Sequence, residues 1–121
     1  VKNRDRGHYL ENIVACELQR QSSGLAYVKT AEGHEVDFLA TQTDGSTQLI
    51  QVAADIQNEE TLHREIRSLV GASAEFPGSR KILLTEDVPA RGLSLPEGIE
   101  VFPLWEWLLH PTAGSGLPPL P

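Results

Sequence analysis

Apolar residues at helical spacing open the ordered part of the sequence. From His8 onward they recur every three or four positions, at Leu10, Ile13, Val14 and Leu18, which predicts an amphipathic helix. Residues 1–7 are polar, and we expect them to fray. The run Ser22-Ser23-Gly24 is typical of a helix end. Glu17 projects into the apolar stripe, where a carboxylate must reach solvent, pair with a cation or bind a metal.

The middle of the chain predicts three strands. Residues 25–30 form the first, and a turn follows at Glu32-Gly33. Between 35 and 41, Val36, Phe38 and Ala40 alternate with the other residues, as in a half-buried strand. Asp44-Gly45 is a strong hairpin signal. The continuous apolar character of residues 49–54 is typical of a central strand covered on both faces.

The hairpin brings polar residues of two neighbouring strands together. It places Asp37 roughly opposite Gln51. Both side chains share a face with Ala53 only if the connecting loop is odd in length or contains a bulge. The sequence leaves these two arrangements open.

The second half of the chain predicts a helix, two strands and a short helix. Asn58 is a good N-cap, and Pro77-Gly78 stops the helix that it begins. The buried face of that helix consists of Leu62, Ile66, Leu69 and Val70. Short strands are expected at 81–85 and 99–102, with a loop rich in Pro and Gly between them. The last helix contains Trp105, Leu108 and Leu109.

The element order is therefore helix-strand-strand-strand-helix-strand-strand-helix. The second helix separates two strands that we expect to be parallel, so the predicted class is α/β, with a mixed sheet flanked by helices. Residues 1–110 form one domain. Residues 111–121 lack periodicity and are rich in Pro and Gly, so we expect a disordered tail.

Composition excludes some classes of protein. The chain has 121 residues and a formal net charge of −7, which opposes broad nucleic-acid binding because phosphate neutralisation needs surplus Lys and Arg. No apolar run approaches the roughly 18 residues of a membrane-spanning helix. A single cysteine, Cys16, fits a reducing cytoplasm. Because the chain starts at Val1 without Met, we expect it to be part of a longer protein. We expect that protein to be cytoplasmic and to have no membrane partner.

Acidic residues on the first helix and on the hairpin resemble the pattern of the PD-(D/E)XK nucleases. Asp37 stands at the strand Asp, Gln51-Val52-Ala53 at the Glu-x-Lys, and Gly7-x-x-x-Glu11 at the helix motif. The resemblance implies a restriction-endonuclease-like fold in which carboxylates and a backbone carbonyl hold Mg²⁺ or Mn²⁺. It implies Glu11, Asp37 and Gln51 as catalytic residues, and the same three with the Val52 carbonyl as metal ligands.

Two positions depart from that pattern. Gln51 keeps an amide oxygen but brings no charge, and Ala53 offers nothing to a water molecule. Loss of a positioned proton-transfer group slows a reaction by about a hundred- to ten-thousand-fold. Lys29, His63 or Arg64 could replace the missing Lys, although an Arg is a poor base because it stays protonated.

Most of the chain also resembles a domain of unknown function at the C-terminus of prokaryotic AAA+-type ATPases. The resemblance rests on ordered segments along residues 2–109: Gly7-His8-Tyr9-Leu10-Glu11-Asn12-Ile13-Val14, Glu17-Leu18, Gly33-His34-Glu35-Val36-Asp37-Phe38, Leu49-Ile50-Gln51-Val52, Asn58-Glu59-Glu60-Thr61 leading into Arg64-Glu65, and Pro103-Leu104-Trp105-Glu106-Trp107-Leu108-Leu109. It implies a nuclease-like domain attached to an ATPase. No G-x-x-x-x-G-K-[ST] phosphate loop occurs here, so ATP binding by that route is not expected.

Three functions follow as hypotheses. The first is a degenerate, noncatalytic nuclease-fold module that binds a partner or DNA; its partners would be the parent ATPase domain, another protein or a second copy, and the acidic net charge favours a protein. The second is a Mg²⁺- or Mn²⁺-dependent DNA nuclease with an incomplete site at Glu11, Asp37 and Gln51. The third is a structural domain in which Glu11 and Asp37 pair with Arg residues.

Overall fold

The computed structural model describes residues 2–54, 58–86, 95–96 and 98–109, with side chains from residue 6 onward. These residues form three helices and five strands: α1 (Lys2–Gln21), β1 (Gly24–Lys29), β2 (Glu35–Thr41), β3 (Thr47–Ala53), α2 (Glu59–Ser73), β4 (Arg80–Thr85), β5 (Ile99–Pro103) and α3 (Leu104–Leu109). The predicted element order is confirmed. The predicted tail at 111–121 and most of the predicted loop between β4 and β5 lie outside the described residues.

The first helix begins earlier than predicted. Residues 2–7, which we expected to fray, belong to α1. Their polarity hid the helix because the prediction relied on apolar periodicity, whereas Lys and Arg are themselves good helix formers. Glu17 on this helix pairs with Arg20 and accepts a hydrogen bond from Gln21 Nε2 at 3.2 Å. Of the three alternatives for this carboxylate, namely solvent, a cation or a metal, the structure shows pairing with a cation.

The five strands form one mixed sheet in the order β1-β2-β3-β4-β5. Strand β2 runs antiparallel to both β1 and β3, and β3, β4 and β5 are parallel to one another. The α/β class and the parallel pair around α2 are confirmed. The central strand β3 is buried from Gln48 to Ala53, as its continuous apolar character predicted.

Helices cover the two faces of the sheet. Residues of α1 and α3 pack on one face in a core that consists of Leu10, Val14, Leu18, Ala40, Ile50, Val52, Ile82, Leu84, Leu104 and Trp107. Residues of α2 pack on the other face with Val28, Val36, Leu49, Ala53 and Leu83. None of the helices among the described residues is long and apolar enough to cross a membrane.

The loop of the β2–β3 hairpin has an odd number of residues, which is one of the two arrangements that the sequence left open. Thr41 pairs with Thr47, so five residues connect the strands, and Phe38 lies opposite Ile50. Continuing this register places Asp37 next to Gln51 on the face that Ala53 shares. The irregularity in register lies instead between β1 and β2, at Ala26 and Val28.

A close contact between α2 and the loop before β2 makes Gly71 sensitive to substitution. A Cβ at this position would lie 2.3 Å from His34 Cδ2. We therefore expect Gly71→Ala to displace the imidazole and lower the free energy of unfolding by about 1–3 kcal/mol. Chemical denaturation measures the loss. The matched control is Gly7→Ala in α1, where the added Cβ would meet only Glu11 Oε2 at 4.0 Å.

That control should gain up to about 1 kcal/mol from the helix preference of Ala over Gly. The double variant His34→Ala/Gly71→Ala should recover part of the loss, because the clashing ring is gone. Equal stability of Gly71→Ala and Gly7→Ala would contradict the proposed clash.

Candidate functional site

A cleft of about 610 Å³ opens where β3 ends. Its described lining comes from α1 and α2 and from the first three strands. The lining is mainly polar: Glu11, Tyr27, Glu35, Asp37, Gln51, Asn58, Thr61, Arg64, Glu65 and Ser68. The cleft thus gathers side chains from both helical layers at one end of the sheet.

Side chains replace backbone pairing at the point where β2 and β3 reach the cleft. The described ladder between them extends to Phe38 and Ile50. One residue further, the Asp37 N–H donates to Gln51 Oε1 at 2.7 Å, and the Val52 N–H donates to Asp37 Oδ2 at 2.8 Å. Each side chain therefore binds the backbone of the opposite strand. These two hydrogen bonds hold the open end of the hairpin together at the cleft.

The Gln51 amide is engaged at both of its ends. Its Oε1 accepts from Asp37, as above, and its Nε2 donates to the Glu35 carbonyl oxygen at 3.2 Å. The amide also acts on the Glu65 carboxyl of α2, where it opposes the rise in pKa that burial causes. Since Gln51 is only 4% exposed, its two hydrogen bonds satisfy a buried polar group and connect β2 with β3.

The Asp37 carboxyl has a strongly perturbed pKa. Burial is the largest cause, and the nearby charges of Glu11, Glu65 and Glu35 add to it, so the pKa rises to about 7 despite the hydrogen bond from Val52. Desolvation and like charges both disfavour the carboxylate form. Near neutral pH, both the protonated and the ionised form of Asp37 are therefore populated.

Glu65 lies on the α2 side of the same cleft. Burial raises its pKa, while contacts with Arg64 and the Gln51 amide act in the opposite direction. Its Oε1 lies 3.5 Å from Arg64 Nε. Arg64 is the one cationic side chain in the described lining, against four carboxylates, so the cleft is acidic overall.

Tyr27 on β1 lines the rim of the cleft. The Glu35 carboxylate, as a hydrogen-bond acceptor for the phenol, is the main reason why the pKa of Tyr27 is raised. Tyr27 is 60% exposed. The phenol thus stays protonated and acts as a hydrogen-bond donor at neutral pH.

The magnesium ligand set that the sequence implied stays a prediction, and two of its oxygens already accept hydrogen bonds within the protein. The Gln51 oxygen accepts the Asp37 N–H, which occupies one of its two lone pairs. One Asp37 oxygen likewise accepts the Val52 N–H. No three His, Cys, Asp or Glu side chains in the described part of the chain are arranged to hold a metal ion. The acids share a cleft without forming a coordination shell.

The structure brings together most of the residues that the sequence singled out. Glu11, Asp37, Gln51, Val52 and Ala53 all line the cleft. Of the three candidate replacements for the missing Lys, Arg64 lines it as well. Lys29 and His63 are exposed and are not part of the described lining.

Sequence reasoning missed Tyr27, Glu35 and Glu65 as members of this cleft. A signal for Glu65 was present: Thr61, Glu65 and Ser68 recur at helical spacing and form a polar line beside the buried face of α2. Glu35 and Tyr27 gave no comparable signal. Their proximity depends on the pairing of β1 with β2, in which Lys29 lies opposite Glu35.

Comparison with known proteins identifies the family but not an activity. No curated protein and no solved structure matches the chain. One family matches, described as "Domain of unknown function (DUF4143)", and its match covers residues 6–107. Because this match spans most of the chain, the chain belongs to the DUF4143 family, a family of domains of unknown function.

Proposed function

We propose that this chain is a noncatalytic domain of nuclease-like arrangement that serves a larger protein, an AAA+-type ATPase, by binding a partner. One observation carries the proposal: the Gln51 amide, at the position of a catalytic acid, holds two backbone groups of β2 through its oxygen and its nitrogen. A neutral amide held in this way brings neither the charge that favours a divalent cation nor a base for a water molecule.

The charges of the cleft support this proposal. Hydrolysis of a phosphodiester needs positive groups to stabilise the charge that develops on phosphorus-bound oxygens. Here four carboxylates face one Arg, and Ala53 occupies the position where a nuclease carries Lys. An acidic cleft repels a phosphate backbone, and the net charge of −7 acts in the same direction.

The proposed partner is a protein surface, either the ATPase part of the same polypeptide, another subunit or a second copy, in the cytoplasm. A protein surface can supply Lys or Arg side chains that complement the acidic cleft. We therefore expect no binding of duplex DNA in fluorescence anisotropy titrations near physiological salt. A salt-dependent rise in anisotropy at micromolar protein would favour a DNA partner instead.

A metal-dependent DNA nuclease is the second candidate. It is favoured by the convergence of Glu11, Asp37 and Gln51 in one cleft with Arg64 beside them. In this case Mg²⁺ or Mn²⁺ would have to displace the hydrogen bonds of Gln51 before it could bind.

Cleavage of supercoiled plasmid in Mg²⁺ or Mn²⁺ distinguishes the two candidates. We expect the native domain to leave the plasmid intact, and the same result for Asp37→Ala. The variant Gln51→Glu/Ala53→Lys restores the acid and the base, and nicking by this variant is expected to exceed that of the native domain by at least about a hundred-fold. Circular dichroism confirms that each variant is folded before the assay.

Native cleavage that disappears in Asp37→Ala would overturn the noncatalytic proposal. Native cleavage that persists in Asp37→Ala would indicate a contaminating nuclease. If neither the native domain nor the restored variant cuts, the partner-binding proposal stands and the nuclease-like arrangement loses its support.

A further inference from the structure

Gln51 Nε2 faces oxygen atoms that accept hydrogen bonds. The nitrogen donates to the Glu35 carbonyl oxygen at 3.2 Å, and the Glu65 carboxyl, whose pKa the amide lowers, lines the same cleft. Carbonyl and carboxylate oxygens are also the ligands that Mg²⁺ and Mn²⁺ prefer. The amide N–H group thus lies among acceptors that would suit a small cation.

We propose that the Gln51 amide nitrogen is a built-in substitute for a divalent cation, which connects β2, β3 and α2 and makes the fold independent of metal. The inference deepens the proposed noncatalytic function of the same cleft and rests on it. The partial positive charge of the N–H₂ group satisfies the two acceptors, whereas the Oε1 at the other end of the amide holds the Asp37 N–H.

A single substitution reverses this arrangement. Gln51→Glu replaces the two donors by an acceptor, so the introduced carboxylate faces the Glu35 carbonyl and the Glu65 carboxylate without a proton between them. Buried acceptors without a donor are costly. A divalent cation relieves the conflict, since it would find two carboxylates and one carbonyl within reach.

Thermal unfolding in EDTA and in about 5 mM MnCl₂ tests this inference with no nucleic acid or partner present. We expect the native domain to melt at the same temperature in both buffers. Gln51→Glu should melt at least about 5 °C lower in EDTA and recover at least half of that loss in Mn²⁺. Ligand binding to the folded state accounts for the recovery.

Two further variants serve as controls. Gln48→Glu introduces a carboxylate at another buried glutamine of β3 that is 8% exposed and not part of the described cleft lining; it should lose stability without recovery in Mn²⁺. Gln51→Glu/Glu65→Gln exchanges the two groups, so that the carboxylate lies on β3 and the amide on α2. We expect it to be more stable than Gln51→Glu in EDTA and to respond less to Mn²⁺.

The inference is overturned if Mn²⁺ stabilises the native domain, or if Gln51→Glu responds to Mn²⁺ no more than Gln48→Glu. If Gln51→Glu does not fold in EDTA, recovery of folded protein on addition of Mn²⁺ supports the inference, and no recovery contradicts it. Since the readout is stability alone, its failure leaves the plasmid and partner experiments unaffected.

Discussion

Replacing Asp37 with Asn is expected to raise the free energy of unfolding by about 4 kcal/mol at about pH 9 and to leave it nearly unchanged at about pH 4. The folded domain raises the pKa of this carboxyl to about 7, whereas an unfolded Asp titrates near 3.9. Between these two values the folded state binds more protons than the unfolded state, so stability falls as pH rises. Above about pH 7 the full cost of the buried charge is present.

The Asn side chain removes this charge while its oxygen can still accept the Val52 N–H. The measurement is urea denaturation of both proteins across this pH range. Asp44→Asn is the matched control, because hydrogen bonds from Ser46 lower the pKa of Asp44. That carboxylate stabilises the fold at neutral pH, so its removal should act in the opposite direction. Stabilisation by Asp37→Asn that does not depend on pH would contradict the raised pKa.

The buried charge of Asp37 lowers the stability of the fold, so stability does not explain why an acid stands at this position. Perturbed acids concentrate at functional sites, where chemistry or recognition compensates for their cost. In this cleft, burial and the charges of Glu11, Glu65 and Glu35 act together on Asp37. A cationic group of a partner would lower that cost on binding, which agrees with the proposed partner-binding function.

The fold could be predicted from local signals in the sequence. The Asn58 N-cap accepts a hydrogen bond from the Thr61 N–H as expected, and the turn at Asp44-Gly45 has Gly45 at a positive φ of 89°. Burial of both faces of β3 followed from its apolar run. The predicted start of α1 was wrong, because residues that extend a helix beyond its apolar stripe leave no periodic signal.

The cleft was only partly predictable for a different reason. Asp37 and Gln51 are linked by a hairpin, so a turn and a period of two are enough to bring them together. Glu65 reaches Gln51 through the packing of α2 on the sheet, which apolar periodicity indicates only in general terms. The role of Gln51 itself was hidden, because the sequence shows a missing charge and not the hydrogen bonds that replace it.

Replacing Gln51 with Leu is expected to lower the free energy of unfolding by about 3–5 kcal/mol at about pH 8. The substitution leaves the Asp37 N–H and the Glu35 carbonyl without the partners seen in the structure, and a polar group that loses its partner away from water costs about 1–3 kcal/mol. It also removes the contact that lowers the pKa of Glu65. Without that contact the pKa of Glu65 rises further above its ordinary value, which costs stability only where the carboxylate is ionised, so this part of the loss should disappear at about pH 4.

Denaturant titrations at both pH values measure this loss, and Gln21→Leu is the matched control. Gln21 is a half-buried residue of α1 whose Nε2 donates to Glu17 at 3.2 Å, and replacing a surface residue of this kind should change stability by about 0.5 kcal/mol or less. A loss below about 1 kcal/mol in Gln51→Leu would mean that water entering the cleft satisfies the same groups. In that case the Gln51 amide would not hold the hairpin, and the metal-free connection between β2, β3 and α2 would need another residue to maintain it.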